Sequence, residues 1–291
     1  MLLVAAWNST LCAAEAGWPE GYEIAEGSES PDGRYGVLLP SRLAADGLND
    51  DEVPNRLVNL KSHKRLGVIR NAHYFPGQNH FGLSVAWAAD SSWCAVTYEA
   101  RYGFGEITLV EIHGDKLAQT DLGRHIQKSL DAVINRQSGN TSGGYGTAYF
   151  RSGSDRKVLV RGTAFTNPKA FPEEPTYCSL FQGTYDLSTG KWTRSEARKI
   201  TSGERDDLES AFGEFSLEGV TFSKEEDRLS SCDEHLNAVY RGLRIVLAAE
   251  RFAAVKKQQI AWLKQLEATD GISAKCDLMT ARINELHKLA W

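Results

Sequence analysis

The sequence predicts an α+β protein: an all-β repeat domain over residues 21–200, followed by a small α-helical bundle over 223–291. Three observations predict it. Polar turn signals followed by short alternating apolar runs recur three times before residue 200. From Leu229 onward the apolar residues switch to a three-and-four spacing, the mark of amphipathic helices. Between the two parts, "GERDDLESAFGEFSLEG" carries six acids against one arginine, which reads as a solvated acidic linker over 201–222.

The β elements follow in order. "SPDGRYGVLLP" places a turn at Pro31-Asp32-Gly33 ahead of an apolar run. "WAADSSWCAVTYEA" repeats the scheme, with Asp90-Ser91-Ser92 before a strand, and "FRSGSDRKVLVRGTAF" does so again with Ser154-Asp155-Arg156. Each unit continues into a second strand pair. The turns there, Ser62-His63-Lys64, His113-Gly114-Asp115 and Ser188-Thr189-Gly190, suit hairpins. "LGRHIQKSLDAVINRQ" interrupts the strands with Ile126, Leu130, Val133 and Ile134 at helical spacing. The glycine-rich "SGNTSGGYG" follows that helix instead of preceding one, so it reads as an exposed loop and not a phosphate cradle.

A spacing of about 60 residues between units is an internal repeat. The phrase S-P-D-G-R-Y before a strand resembles the blade motif of TolB-like and WD-repeat-like β-propellers, which implies a propeller-like domain. Closure needs about four blades, and three units are visible, so a two-sheet sandwich stays open beside it.

In the helical part, Ser223-Lys-Glu-Glu226 has the form of a capping box. Apolar stripes then run through Leu229, Cys232, Leu236, Val239 and Leu243, through Phe252, Val255 and Trp262, and through Cys276, Met279, Ile283 and Leu286. Thr269-Asp270-Gly271 separates the last two, while Ala248-Ala249 offers no breaker between the first two. Leu236-Asn237-x-x-Tyr240, then Gln259-x-x-Trp262, then Thr280-x-Arg282 resemble the N-terminal domain of the LprI-like lysozyme inhibitor family. The resemblance implies an envelope protein acting on a lysozyme. Read physically, these residues are architecture: Tyr240 and Trp262 bring large apolar area, Asn237 and Gln259 can tie helices by hydrogen bonds, and Arg282 can meet a carboxylate.

The first sixteen residues start apolar and end in Ala14-Glu15-Ala16, the later part of a secretory signal peptide, so a periplasmic or secreted location is expected. Four cysteines follow it: Cys94, Cys178, Cys232 and Cys276. An even number in an exported chain suggests disulfides, with three possible connectivities. One bridge within each part, Cys94–Cys178 and Cys232–Cys276, is the simplest.

The net charge of −5 gives no basic face for nucleic acid. After residue 16, no apolar run approaches the roughly 18 residues of a membrane span. His73 and His80 flank Pro76-Gly77 as a weak metal candidate, but turn histidines fit the pattern better, and no cofactor is expected. There is no G-x-S-x-G elbow, and the pairs Asp206-Asp207 and Glu173-Glu174 are expected in loops as solvated charge. The expected function is therefore a non-enzymatic envelope binding protein, its partner a lysozyme or another envelope protein. The alternative is an envelope hydrolase with its site on the β domain and the helices as an accessory. From Thr221 to Trp291 the chain has eleven bases against ten acids, a near-neutral total that gives no pull toward a basic lysozyme.

Overall fold

The computed structural model describes residues 17–46, 53–99, 104–139, 144–167, 173, 175–213, 215, 217 and 220–291. The expected signal peptide and residues 140–143 of the glycine-rich loop lie outside them. Three four-stranded sheets come first. One holds β1 (Tyr22–Ile24), β2 (Tyr35–Pro40), β3 (Arg56–Asn59) and β4 (Lys64–Val68), with α1 (Arg42–Ala45) between its second and third strands. The next holds β5 (Gly82–Trp87), β6 (Trp93–Glu99), β7 (Glu106–His113) and β8 (Lys116–Asp121). Helix α2 (Gly123–Ser138) leads to the third, built of β9 (Gly144–Ser152), β10 (Lys157–Thr166), β11 (Cys178–Asp186) and β12 (Lys191–Ile200). In every sheet the strands lie side by side in chain order. The three expected units are thus three sheets, and the protein is α+β.

Local chemistry sets the corners. Ser30 Oγ donates to Asp32 Oδ1 at 2.8 Å and accepts from the Tyr35 amide at 2.9 Å, while Gly33 takes the left-handed conformation at φ +64°. That knot turns the chain into β2. At the outer hairpins the left-handed positions are His63, Gly114 and Gly190. Asn59 and Asp186 brace two of these hairpins, each side-chain oxygen accepting from two backbone amides just ahead.

The chain divides into two compact units, Met1–Ser129 with Gly143–Val158, and Leu130–Ser142 with Leu159–Trp291. In the first, side chains from the first two sheets interlock: Val37, Leu57 and Ile69 bury against Cys94, Val96 and Val110. Each fully buried Val, Leu or Ile contributes about 1.5–3 kcal/mol. Gln119 ties the sheets at their rim, donating to the Val68 carbonyl at 2.8 Å and accepting from the Arg70 amide at 2.9 Å.

The second unit joins helices to the third sheet. Here the expected linker is corrected: Ser202–Phe212 form helix α3. Thr201 caps it and Glu204 reciprocates, a capping box worth about 1 kcal/mol. Leu208, Ala211 and Phe212 are buried, which explains why an acid-rich segment folds: its apolar residues share one side, and several of its charges find partners, Glu209 accepting from Thr163 and Arg205 lying over the Phe165 ring. The Asp206-Asp207 pair is corrected with it. It lies on this helix and not in a loop, and both Asp207 oxygens accept from Arg241 Nε, at 2.9 and 3.0 Å.

Three further helices follow: α4 (Glu225–Val246), α5 (Ala249–Glu267) and α6 (Ile272–Leu289). The cap of α4 is Lys224, without a side-chain hydrogen bond, so the expected Ser223 capping box does not form. Leu247 and Ala248, both extended, separate α4 from α5 as a two-residue corner. Gly271, at φ +83°, opens α6. Helix α4 is the centre of this region, packed closely on α3 and α6, while α5 stands further off. Gly242 permits the α3 approach: a Cβ there would lie 2.5 Å from the Asp207 carbonyl oxygen. Arg198 on β12 donates to the Ile245 carbonyl at 3.1 Å, fastening α4 to the third sheet. The expected C-terminal helices α4–α6 pack together, and α3 joins them against α4. Strand β12 is an edge of the sheet, paired on one side only, with Arg194, Glu196 and Arg198 exposed. No helix among the described residues is long and apolar enough to cross a membrane.

Candidate functional site

The family-like residues of the helical region divide into interior and surface. Leu236, Gln259, Trp262 and Arg282 are buried. Gln259 Oε1 accepts from Arg282 Nε at 2.9 Å, a buried bond from α5 to α6 that compensates for the loose backbone packing of α5. Arg282 Nη1 reaches Glu285 at 2.9 Å, whereas its Nη2 is buried without a partner among the described residues. Thr280 donates to the Cys276 carbonyl one turn earlier, at 2.9 Å. Asn237 departs from expectation. It is exposed and donates to Asp233 one turn earlier, so it ties no helices together. Tyr240 is half-buried, its ring 5.2 Å from that of Phe252.

Two grooves open on this region. One, of about 190 Å³, runs between α4 and α5 and is lined by Leu236, Asn237, Tyr240, Gln259, Ile260 and Leu263 among others. Ile260 and Leu263 are 53% and 42% exposed, so an apolar strip of α5 faces solvent beside Tyr240. The other, of about 440 Å³, lies where α4 begins, α5 ends and α6 begins, with Asp233 lining both. Sequence reasoning missed both grooves.

On the inner side of α4, the His235 ring stacks on Phe215 at 4.2 Å and meets His287 edge-on at 5.6 Å. Nε2 of His287 lies 3.0 Å from the Ser210 carbonyl oxygen, while Nε2 of His235 is buried without a partner among the described residues. Burial, with the His287 ring adding to it, pulls the His235 pKa down to about 4.

All four expected disulfide cysteines are buried thiols. Cys94 is enclosed by the apolar side chains between the first two sheets, and Cys178 starts β11. Burial raises the pKa of both thiols. Cys232 and Cys276 are neighbours on α4 and α6, and Cys276 adds to burial in raising the Cys232 pKa. His73 packs edge-on to Tyr98, and His80 is exposed in a left-handed turn at φ +63°. Among the described residues no three His, Cys, Asp or Glu side chains are placed to hold a metal ion.

No family model and no curated protein matches the chain. The LprI-like resemblance therefore has no support beyond its motif residues. Among solved structures, a chain described as "putative TolB" from Agrobacterium tumefaciens matches with TM-score 0.24 at 12% identity, over 59% of this chain. The match spans 57% of that structure, little more than half its length. The chemistry on this molecule's own surface is what remains to be read.

Proposed function

We propose that the protein is an exported, non-enzymatic binding protein of the cell envelope, whose helical region contacts and restrains a lysozyme-like glycan-cleaving enzyme. The observation that carries this reading is the apolar strip of α5: Ile260 and Leu263 stand half exposed beside the Tyr240 ring, bordering a groove that Asn237 also lines. Exposed apolar side chains clustered around an aromatic residue are the usual makings of a protein contact. The motif resemblance supplies the class of partner. Of the motif residues, Leu236, Asn237, Tyr240 and Gln259 line the same groove as the strip.

The test is clearing of a bacterial cell-wall suspension by lysozyme with an excess of the full chain. Restrained clearing is expected, with the restraint lost in an Ile260→Asp, Leu263→Asp double variant that keeps its helical circular dichroism. Undiminished clearing with the unaltered protein would overturn the reading.

A further inference from the structure

The larger groove has a different character from the strip. Leu229, Leu266 and Met279 give it an apolar lining, and Glu226, Asp233 and Glu267 give it carboxylates. No ion pair among the described residues neutralises these three acids; Asp233 accepts only from the neighbouring Asn237 amide, at 3.1 Å. Lys275 is the single cation among the lining residues. Residues 224–234, which include the start of α4, hold five carboxylates against two bases, and 264–277 hold three against two. By contrast, 241–257, around the α4–α5 corner, holds five bases against one acid. The near-neutral total of the helical region therefore hides a separation of charge along it. The groove opens at the negative end.

An occupant must cover apolar side chains and bring positive charge with it. An anionic membrane or nucleic acid meets like charge there, and a purely basic tail leaves the apolar lining in water. From Glu226 to Asp233 is seven residues, about 10 Å or two helical turns, which matches the i, i+3, i+7 anchors of an amphipathic helix in a groove. We propose that the groove takes a basic amphipathic helix of a partner protein. Its leucine-sized anchors enter over Leu229, Leu266 and Met279, and its lysines or arginines face Glu226, Asp233 and Glu267. The inference rests on the binding reading above and names the chemistry of the partner.

The experiment is fluorescence anisotropy of the full chain against three labelled helical peptides: leucine with lysine in an amphipathic pattern, leucine with glutamate in the same pattern, and serine with lysine. Only the first should bind, more weakly as salt rises, because exposed charges are screened. The Glu226→Lys, Glu267→Lys double variant should weaken it about tenfold or more, an effect on the order of 1.4 kcal/mol, and should admit the leucine–glutamate peptide. Glu226→Gln with Glu267→Gln repeats the test with smaller disturbance should the reversed pair lose its helical signal. Absence of binding, equal binding of either control peptide, or affinity indifferent to both variants would overturn the proposal. Restraint of lysozyme without peptide binding sinks the groove alone. Peptide binding without restraint leaves the groove and sinks the lysozyme reading.

Discussion

The two regions with the best-defined interiors are built on opposite terms. Between the first two sheets the central cluster is apolar, from Val37 and Leu57 to Cys94 and Val110, and the polar side chains buried around it, Ser28, Asn55 and Thr108, all hydrogen-bond to backbone. The helical region instead encloses Gln259, Arg282 and His287, with His235 half-buried against His287. An apolar interior is indifferent to protons and tolerant of small shifts in register. A polar interior stays folded only while each group keeps its partner, so it ties stability to pH and to single hydrogen bonds.

That contrast can be broken most severely at Trp262. Emptying a large buried aromatic site costs about 3–5 kcal/mol, so Trp262→Ala should lower the thermal midpoint of the full chain and take the helical signal first. A variant melting like the parent would place the ring on a contact surface instead of in the interior. Oxidation comes next. Treated with oxidised glutathione, Cys232 and Cys276 should link and stabilise the helices by about 2–4 kcal/mol, with Cys94 and Cys178 still titrating as thiols after denaturation. Mass mapping that recovers a bridge at Cys94 would remove the distinction between the two interiors.

Gln259→Leu removes the acceptor for the Arg282 guanidinium and should cost about 1–3 kcal/mol in urea unfolding, far more than the exposed Gln265→Leu on the same helix. Equal effects would show the buried bond to be idle. Acidification should act on the helices as well. The folded His235 pKa of about 4 lies below the ordinary 6.5, so the unfolded chain binds the proton first. Stability should hold above about pH 6.5 and fall as pH drops toward 4, by about 1–2 kcal/mol once solvent screening of a half-buried ring is allowed for. His235→Gln should flatten that slope. The smallest effect belongs to the sheets: Asp32→Ala loosens one exposed corner and should cost about 1 kcal/mol, without pH dependence between 5 and 8, as denaturation at two pH values would show.

The strands and hairpins were legible in the sequence because their signals are local. Except at His63, glycine or Asx residues stand at or beside the left-handed turn positions, and α2 announces itself through four apolar residues that are all buried. Helix α3 was not read, since six acids suggested a solvated linker. The signal was present in Thr201 and Glu204, three residues apart, with Leu208, Ala211 and Phe212 on one side. Ser223 and Glu226 show the same pattern and form no cap, because spacing alone does not say where a helix will start. The cysteine arithmetic gave an even number, and an even number does not say which thiols are neighbours. Gln259 and Arg282 were singled out by residue type, yet their partnership needs two helices to meet. The acidic groove was beyond reach for the same reason: Glu226, Asp233 and Glu267 converge from two helices, and Met279 comes from a third.

Strand β12 bears on how the protein behaves in crowded solution. Ten residues long and paired on one side only, it offers a row of backbone donors and acceptors to any other extended chain. A second copy docking there would have to bring its own Arg194 and Arg198 close to theirs and strip water from all of them. The exposed charges thus discourage edge-to-edge sheet growth. Arg194→Thr would remove one of these charges from the edge while keeping the Arg198 bond to the Ile245 carbonyl.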